Sequence, residues 1–309
     1  GKLGSVESSA YTIIYVGAAP GLSIPILDDL FGKNIEKWLL YDPESSVGKF
    51  CKKLYELSTS QEDRFTINNG KSGFFTTDTA KNLLAQGVID PDLTIIMFDQ
   101  RTKDKSDSKM NQDFQLTCET LKVIKPAAAW AKLRFRWPKN DNDCEYGVGG
   151  TIKLQPFTAQ FSAEGRLIIS RDDINTYIEG EVTEYNLRDY ESRMFGYNIT
   201  ARSEVRTKTN CLIKGFDFGN DSQLTLYIAK EYLTWKNGNN PTVSMLKDFI
   251  MMCDKDLCAT KGRLQSFLTT PVGLYPEMTL VNRMKNEKII RAMEKEKGIQ
   301  NYKKTKSRS

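Results

Sequence analysis

The chain has 309 residues, 39% hydrophobic and 27% charged, enough to bury a substantial core, and it contains no apolar run of membrane-spanning length. It has no histidine, which excludes Ser-His-Asp, Cys-His and His-metal chemistry and leaves Lys, Asp, Glu, Tyr or Cys as a general base. The net charge of +5 comes from Asn282 onward, where ten Lys or Arg outweigh three acidic residues. Six scattered cysteines, at positions 51, 118, 144, 211, 253 and 258, read as free thiols; only Cys253 and Cys258 are close, and no second pair completes a metal site.

The first element is an apolar strand, Thr12–Val16, which runs straight into Gly17-Ala18-Ala19-Pro20-Gly21. A helix over Ile24–Leu30 follows, and then a second strand, Lys37–Asp42, that ends on a carboxylate. Asp63–Ile67 reads as a weaker strand and Thr77–Gln86 as a helix. Leu93–Asp99, "LTIIMFD", is a third strong strand that again ends on Asp, and Gln112–Ile124 is helical until Pro126. Alternating strands and helices with near-continuous apolar strands predict a parallel sheet covered on both faces. Ligands in such sheets bind beyond the carboxyl ends of the strands, where the glycine turn, Asp42 and Asp99 all fall.

The second half is less regular. Ala131–Trp137, "AKLRFRW", alternates, so a strand there would put Lys132, Arg134 and Arg136 on one face and Leu133, Phe135 and Trp137 on the other. "GRLIIS" and "DSQLTLYIA" are further strand candidates, while Lys247–Met252 and Asn286–Lys297 have helical composition. Residues 1–281 are read as one domain, whose N-terminal segment need not be complete, and 282–309 as a basic helix and tail, partly disordered.

The glycine turn lacks the Lys-Ser/Thr of a P-loop and the spacing of G-x-G-x-x-G. Small residues there allow backbone to approach a ligand without phosphate, such as S-adenosyl-L-methionine, with Asp42 on the ribose hydroxyls. Three readings stay open on the residues alone: a methyltransferase, another nucleotide-binding α/β enzyme, or a structural turn.

Five strings, "YVGAAPG", "FDQRTK", "KPAAAWAKLRFRWP", "LQPFTAQFSAEGRL" and "DYESRMFGYN", occur in an order and spacing that resembles the poxvirus cap-specific mRNA (nucleoside-2'-O-)methyltransferase family, whose members also serve as poly(A) polymerase regulatory subunits. The likeness runs from about Tyr11 to Leu233. It implies a Rossmann-like methyltransferase fold, a mostly parallel α/β sheet with helices on both faces. It also implies a Lys-Asp-Lys-Glu site. By motif, Asp99, Lys132 and Glu164 fill three of these positions, and Lys2 stands in for the first Lys.

The resemblance places S-adenosyl-L-methionine against Tyr15, Gly17, Gly21, Ser23, Asp42, Phe75, Asp99 and Arg101, with Glu44 where the family has an arginine. It assigns the cap to Trp137 as a stacking ring, Phe161 as a lining ring and Glu191 as an edge-reading carboxylate. The family's second such carboxylate falls on Lys139, with Asp141 or Asp143 as substitutes, and its other stacking ring lies in an upstream segment not matched here. Arg134 and Arg136 suit RNA phosphates. Lys132 would be the general base, which requires its pKa to fall from about 10.4 toward 7–8. The expected substrate is m7G-capped RNA, methylated at the 2'-hydroxyl of the first transcribed nucleotide. The expected partner is a poly(A) polymerase catalytic subunit or another capping enzyme, with no membrane, and the expected location is the cytoplasm. A non-catalytic RNA-binding subunit of the same fold is the alternative.

Overall fold

The computed structural model describes residues 10–43, 50–100, 107–154, 163–201 and 220–258. Among these, β1 (Tyr11–Val16), α1 (Ile24–Phe31), β2 (Ile35–Asp42), α2 (Lys52–Ser60), β3 (Phe65–Asn69), α3 (Thr77–Ala85), β4 (Thr94–Phe98), α4 (Asp107–Ile124) and β5 (Ala128–Leu133) alternate as the apolar runs predict. Then come β6 (Cys144–Gly147), β7 (Thr151–Lys153), β8 (Gly165–Ser170), α5 (Arg171–Ile178), β9 (Thr183–Asn186) and α6 (Leu187–Phe195). Two helices follow, α7 (Asn220–Asn237) and α8 (Val243–Cys258).

Seven strands form one sheet in the order β3-β2-β1-β4-β5-β8-β7, and β6 pairs with β9 in a small second sheet. Strands β1 to β5 are mutually parallel, whereas β8 runs antiparallel to both β5 and β7. The result is the mostly parallel, Rossmann-like α/β architecture expected from the sequence.

Register explains the continuous hydrophobicity of the strands. Ile13 lies beside Trp38 and Ile95 on one face, and Ile14 beside Leu39 and Ile96 on the other. The first set packs with Ile24 and Leu54 of α1 and α2, the second with Ala80, Leu121, Ile174 and Tyr190 of α3 to α6. Both faces are buried, so neither parity of residue can be polar.

Two strand expectations are corrected. "DSQLTLYIA" lies inside helix α7. Ala229, Tyr232 and Leu233 recur at helical spacing and pack on Leu30 and Phe31 of α1, whereas Tyr227 and Ile228 are exposed. A short apolar window does not by itself distinguish strand from helix. The Ala131–Trp137 strand starts earlier, at Ala128, and ends at Leu133. Leu133 and Phe135 are buried as the alternation requires, but Trp137 is 36% exposed. The helix at Asn286–Lys297 and the 282–309 tail lie outside the described residues.

Candidate functional site

In the order β3-β2-β1-β4-β5 the strand sequence switches direction between β1 and β4, and in such sheets the crevice for ligands lies beyond the carboxyl ends of the strands at this switch point. Main-chain bonds fix its floor. Gly17 and Ala18 N–H both donate to Tyr41 O, at 2.8 and 3.1 Å, and Asp99 N–H donates to Val16 O at 2.8 Å. Asp42, closing β2, accepts a hydrogen bond from Ala19 N–H on Oδ2 at 3.1 Å.

The glycines in the turn allow close packing within the chain. Gly17 has φ +80°, and a Cβ there would lie 2.6 Å from the Asp99 carbonyl carbon and the Gln100 nitrogen. Gly21, at φ +67°, would drive a Cβ into the Leu54 side chain. The missing side chains let the β1 turn pack against the β4 turn and against α2.

Register also brings the reactive side chains together. Tyr15 pairs with Met97 across β1 and β4, and Phe98 pairs with Ala131 across β4 and β5. Met97 and Asp99 therefore share a parity with Tyr15 and Lys132. Lys132 Nζ forms an ion pair with Asp99 Oδ1 and donates to the Asp99 carbonyl oxygen at 3.1 Å. Directly across the antiparallel ladder from Lys132 stands Arg166. Its guanidinium reaches Asp99 Oδ1 at 3.5 Å and Glu164 Oε1 at 2.7 Å, and it lies over the Trp130 ring at 4.8 Å. Glu164 is only 6% exposed, so it is no surface carboxylate. Two cations and two carboxylates thus form one neutral cluster. Tyr15 borders it: burial first, and then the Asp99 charge, push its phenol up to about 12, with Arg166 opposing.

Asp99, Lys132 and, through Arg166, Glu164 are thus brought together, while Lys2 and Arg101 lie outside the described residues. Asp42 is tied to the glycine turn through Ala19 N–H, and Ser23 stands at the start of α1, its hydroxyl making no capping hydrogen bond. Phe75 is buried, edge-on to Tyr41 at 4.8 Å, behind the end of β2. Arg166 escaped the sequence reading. The available signal was its position two residues beyond Glu164, at the start of a strand that could pair with Lys132.

A second set lies beyond β5, in a depression lined by Arg134, Phe135, Trp137, Tyr190 and Glu191. Helix α6 supplies Tyr190 and Glu191, and the Tyr190 hydroxyl lies 2.8 Å from the carbonyl oxygens of both Leu133 and Ala163. It clamps the end of β5 to the segment carrying Glu164, which couples this depression to the charged cluster. Glu191 faces Arg188 at 3.9 Å, and Arg188 holds Asp141 at 3.1 Å. Asp141, not Asp143, is thus the carboxylate linked to Glu191.

Arg136, which also lines the depression, is paired with two carboxylates. Its guanidinium is held by Asp143 through two bonds of 2.5 Å and by Glu145 at 2.8 Å, which raises its already high pKa. The arginine in turn pulls the Asp143 carboxyl down to about 2, with Lys139 N–H assisting. Arg134 and Arg136 both line the depression. Phe161 lies outside the described residues. Among the described residues no group of three His, Cys, Asp or Glu is placed to hold a metal, and no helix is long and apolar enough to cross a membrane.

The chain is similar to the cap-specific mRNA (nucleoside-2'-O-)-methyltransferases of the Lausanne and Uriarra strains of myxoma virus, 27% identical over 215 residues in each case. That alignment covers 68% of this chain and 57% of the relatives, so the chain spans a little over half the length of the curated relatives it matches. It is also similar to bluetongue virus VP4, a structure described as a multifunctional RNA-capping production line, with TM-score 0.41 and 15% identity over 60% of this chain and 29% of that one. The Poly A polymerase regulatory subunit family matches residues 2–254, taking in the glycine turn, the charged cluster and the aromatic depression together, and the chain belongs to that family.

Proposed function

We propose that the protein transfers a methyl group from S-adenosyl-L-methionine to the ribose 2'-hydroxyl of the first transcribed nucleotide of m7G-capped mRNA. The observation that carries this reading is Lys132, its amine held by Asp99 at the strand ends where a cofactor would lie. The residues suit this cofactor. The turn from Gly17 to Gly21 has no Lys or Arg for phosphates, while Asp42 and Asp99 offer carboxylates for a ribose diol and a sulfonium centre. When bound, the cofactor supplies an electrophilic methyl group and a positive charge that disfavours the ammonium form of Lys132.

Lys132 as the free amine takes the proton of the attacking hydroxyl, and Asp99 fixes its direction through the carboxylate and the main-chain oxygen. Once the proton has moved, the same pair of acceptors stabilises the ammonium. Arg166 holds Asp99 and Glu164 in position. Trp137 and Glu191 hold the cap, which sets the distance from cap to reactive ribose.

The myxoma virus relatives named for this activity support the reading. The family description favours a second role, as regulatory partner of a poly(A) polymerase, on the same fold. Tritiated methyl transfer to m7GpppA- and GpppA-initiated RNA tests the proposal, with Lys132→Ala as control. Activity should depend on the 7-methyl group and fall about 10²- to 10⁴-fold in the variant. Undiminished activity in the variant would remove Lys132 as the base, and RNA binding without turnover in the unsubstituted protein would favour the regulatory role.

A further inference from the structure

We infer that Tyr190 is a positioning residue for methyl transfer: its single hydroxyl proton, shared between the Leu133 and Ala163 carbonyls, holds the neighbouring Lys132 and Glu164 at their working separation. The inference rests on Lys132 as the base and adds a residue that acts on it through the main chain.

The β5–β8 ladder sets Lys132 opposite Arg166 and ends one pair later, at Leu133 and Gly165. Among the described residues the pairing does not reach Ala163 and Glu164. The Tyr190 hydroxyl stands there instead, 2.8 Å from each carbonyl oxygen. A hydroxyl has one proton to donate, so the two carbonyls share it in a three-centre bond. Leu133 directly follows Lys132, and Ala163 directly precedes Glu164. The surroundings fit a hydroxyl held in one place. Tyr190 is buried, with its ring edge-on to Phe135 at 4.9 Å. A Cβ on Gly165 would come within 3.4 Å of the hydroxyl and 2.9 Å of the Met194 side chain. Burial first, and then Glu164, push the phenol above its ordinary range against the Gly165 main chain, Arg166 and Arg134, so the donor proton stays in place.

The charged cluster is joined only at side-chain tips, Lys132 to Asp99 and Arg166 to both Asp99 and Glu164. If the main chain at Ala163 withdraws, Glu164 leaves with it, and Arg166 is left to Asp99, the acceptor that Lys132 uses. Both changes take negative charge away from the amine, so its ammonium form is less favoured. Tyr15, the remaining titratable neighbour, is held neutral by burial. The amine also loses its direction, and a small misplacement costs rate more than binding. Tyr185 supplies the comparison. Its hydroxyl donates to Val148 O at 2.8 Å, and it is buried against the same Phe135 ring at 5.0 Å. Val148 adjoins no member of the cluster.

Steady-state methyl transfer to m7GpppA-initiated RNA across a pH series tests this, with S-adenosylhomocysteine binding as a check of folding. Tyr190→Phe should lower kcat about tenfold, keep the KM for S-adenosyl-L-methionine within about twofold, and move the acid limb of the kcat profile about half a unit lower. Tyr185→Phe loses an equivalent buried bond and should change kcat by less than about twofold with the limb in place. If the two variants behave alike, Tyr190 is a structural tyrosine only, and the inference falls while Lys132 stands as the base. If Tyr190→Phe does not bind S-adenosylhomocysteine, Gly165→Ala, whose methyl presses on the hydroxyl, carries the test. A fall in kcat of about threefold with the limb moved down then supports the clamp, and parent-like kinetics overturn it. If Lys132→Ala keeps full activity, or the unsubstituted protein transfers no methyl group, the base reading falls and takes this inference with it.

Discussion

Substituting Gly17 by alanine would show whether the turn's small residues serve the chain or a ligand. The residue has φ +80°, where an L side chain costs about 1–2 kcal/mol. The added methyl would also sit 2.6 Å from main-chain atoms of Asp99 and Gln100, which are backbone and not the end of a flexible side chain. Relieving that overlap means moving the β4 turn by several tenths of an ångström, an overpacking cost of about 1–3 kcal/mol. The sum, about 2–5 kcal/mol, should lower the urea midpoint by roughly 1 M at an m-value of about 3 kcal/mol/M. Because the atoms pushed are those of Asp99, the Lys132 pair shifts with them, and methyl transfer should fall more than cofactor affinity does. A variant within about 0.5 kcal/mol of the parent by urea denaturation, with normal stability but lost cofactor binding, would refute this account. Gly17 would then be small for the ligand alone.

Three further outcomes are expected. Arg166→Met removes the cation facing both Asp99 and Glu164 and should cost about 3 kcal/mol in urea, because Glu164 is buried; removing both charges with Glu164→Leu should recover much of it. Tyr190→Phe should cost about 1–3 kcal/mol by chemical denaturation, since the carbonyls of Leu133 and Ala163 lose a donor at 2.8 Å. For Asp143 the folded carboxyl titrates at about 2, below its unfolded value near 3.9, so its pairing with Arg136 stabilises the fold above about pH 4 and is lost as pH falls toward 2. Asp143→Asn, discounted for solvent access, should cost about 1–2 kcal/mol at pH 7 and nearly nothing at pH 2, read as urea midpoints at both pH values.

Much of this protein is visible in one dimension. The strands β1, β2 and β4 are runs of apolar residues because both faces of a parallel sheet are covered, and that pattern survives without any tertiary information. The placing of Asp42 and Asp99 at strand ends follows from the same runs, as does the alternation that sets Lys132 apart from Leu133. The absence of histidine narrows the general base on composition alone. What the chain order conceals is pairing. Nothing local says that β8 lies antiparallel against β5, yet that single register sets Arg166 opposite Lys132 and turns Glu164 from an apparent surface acid into a buried one. Nor does composition say that Arg136 is consumed by Asp143 and Glu145 while Arg134 is not. The glycines of the turn were legible as small residues, but their reason, contact with the Asp99 main chain and with Leu54, depends on which loops meet. The stack of Phe195 on Trp137 depends on α6 lying against the chain that leaves β5, which no local pattern states. Periodicity determines which face a residue occupies, and only the folding of distant segments onto one another determines what that face meets.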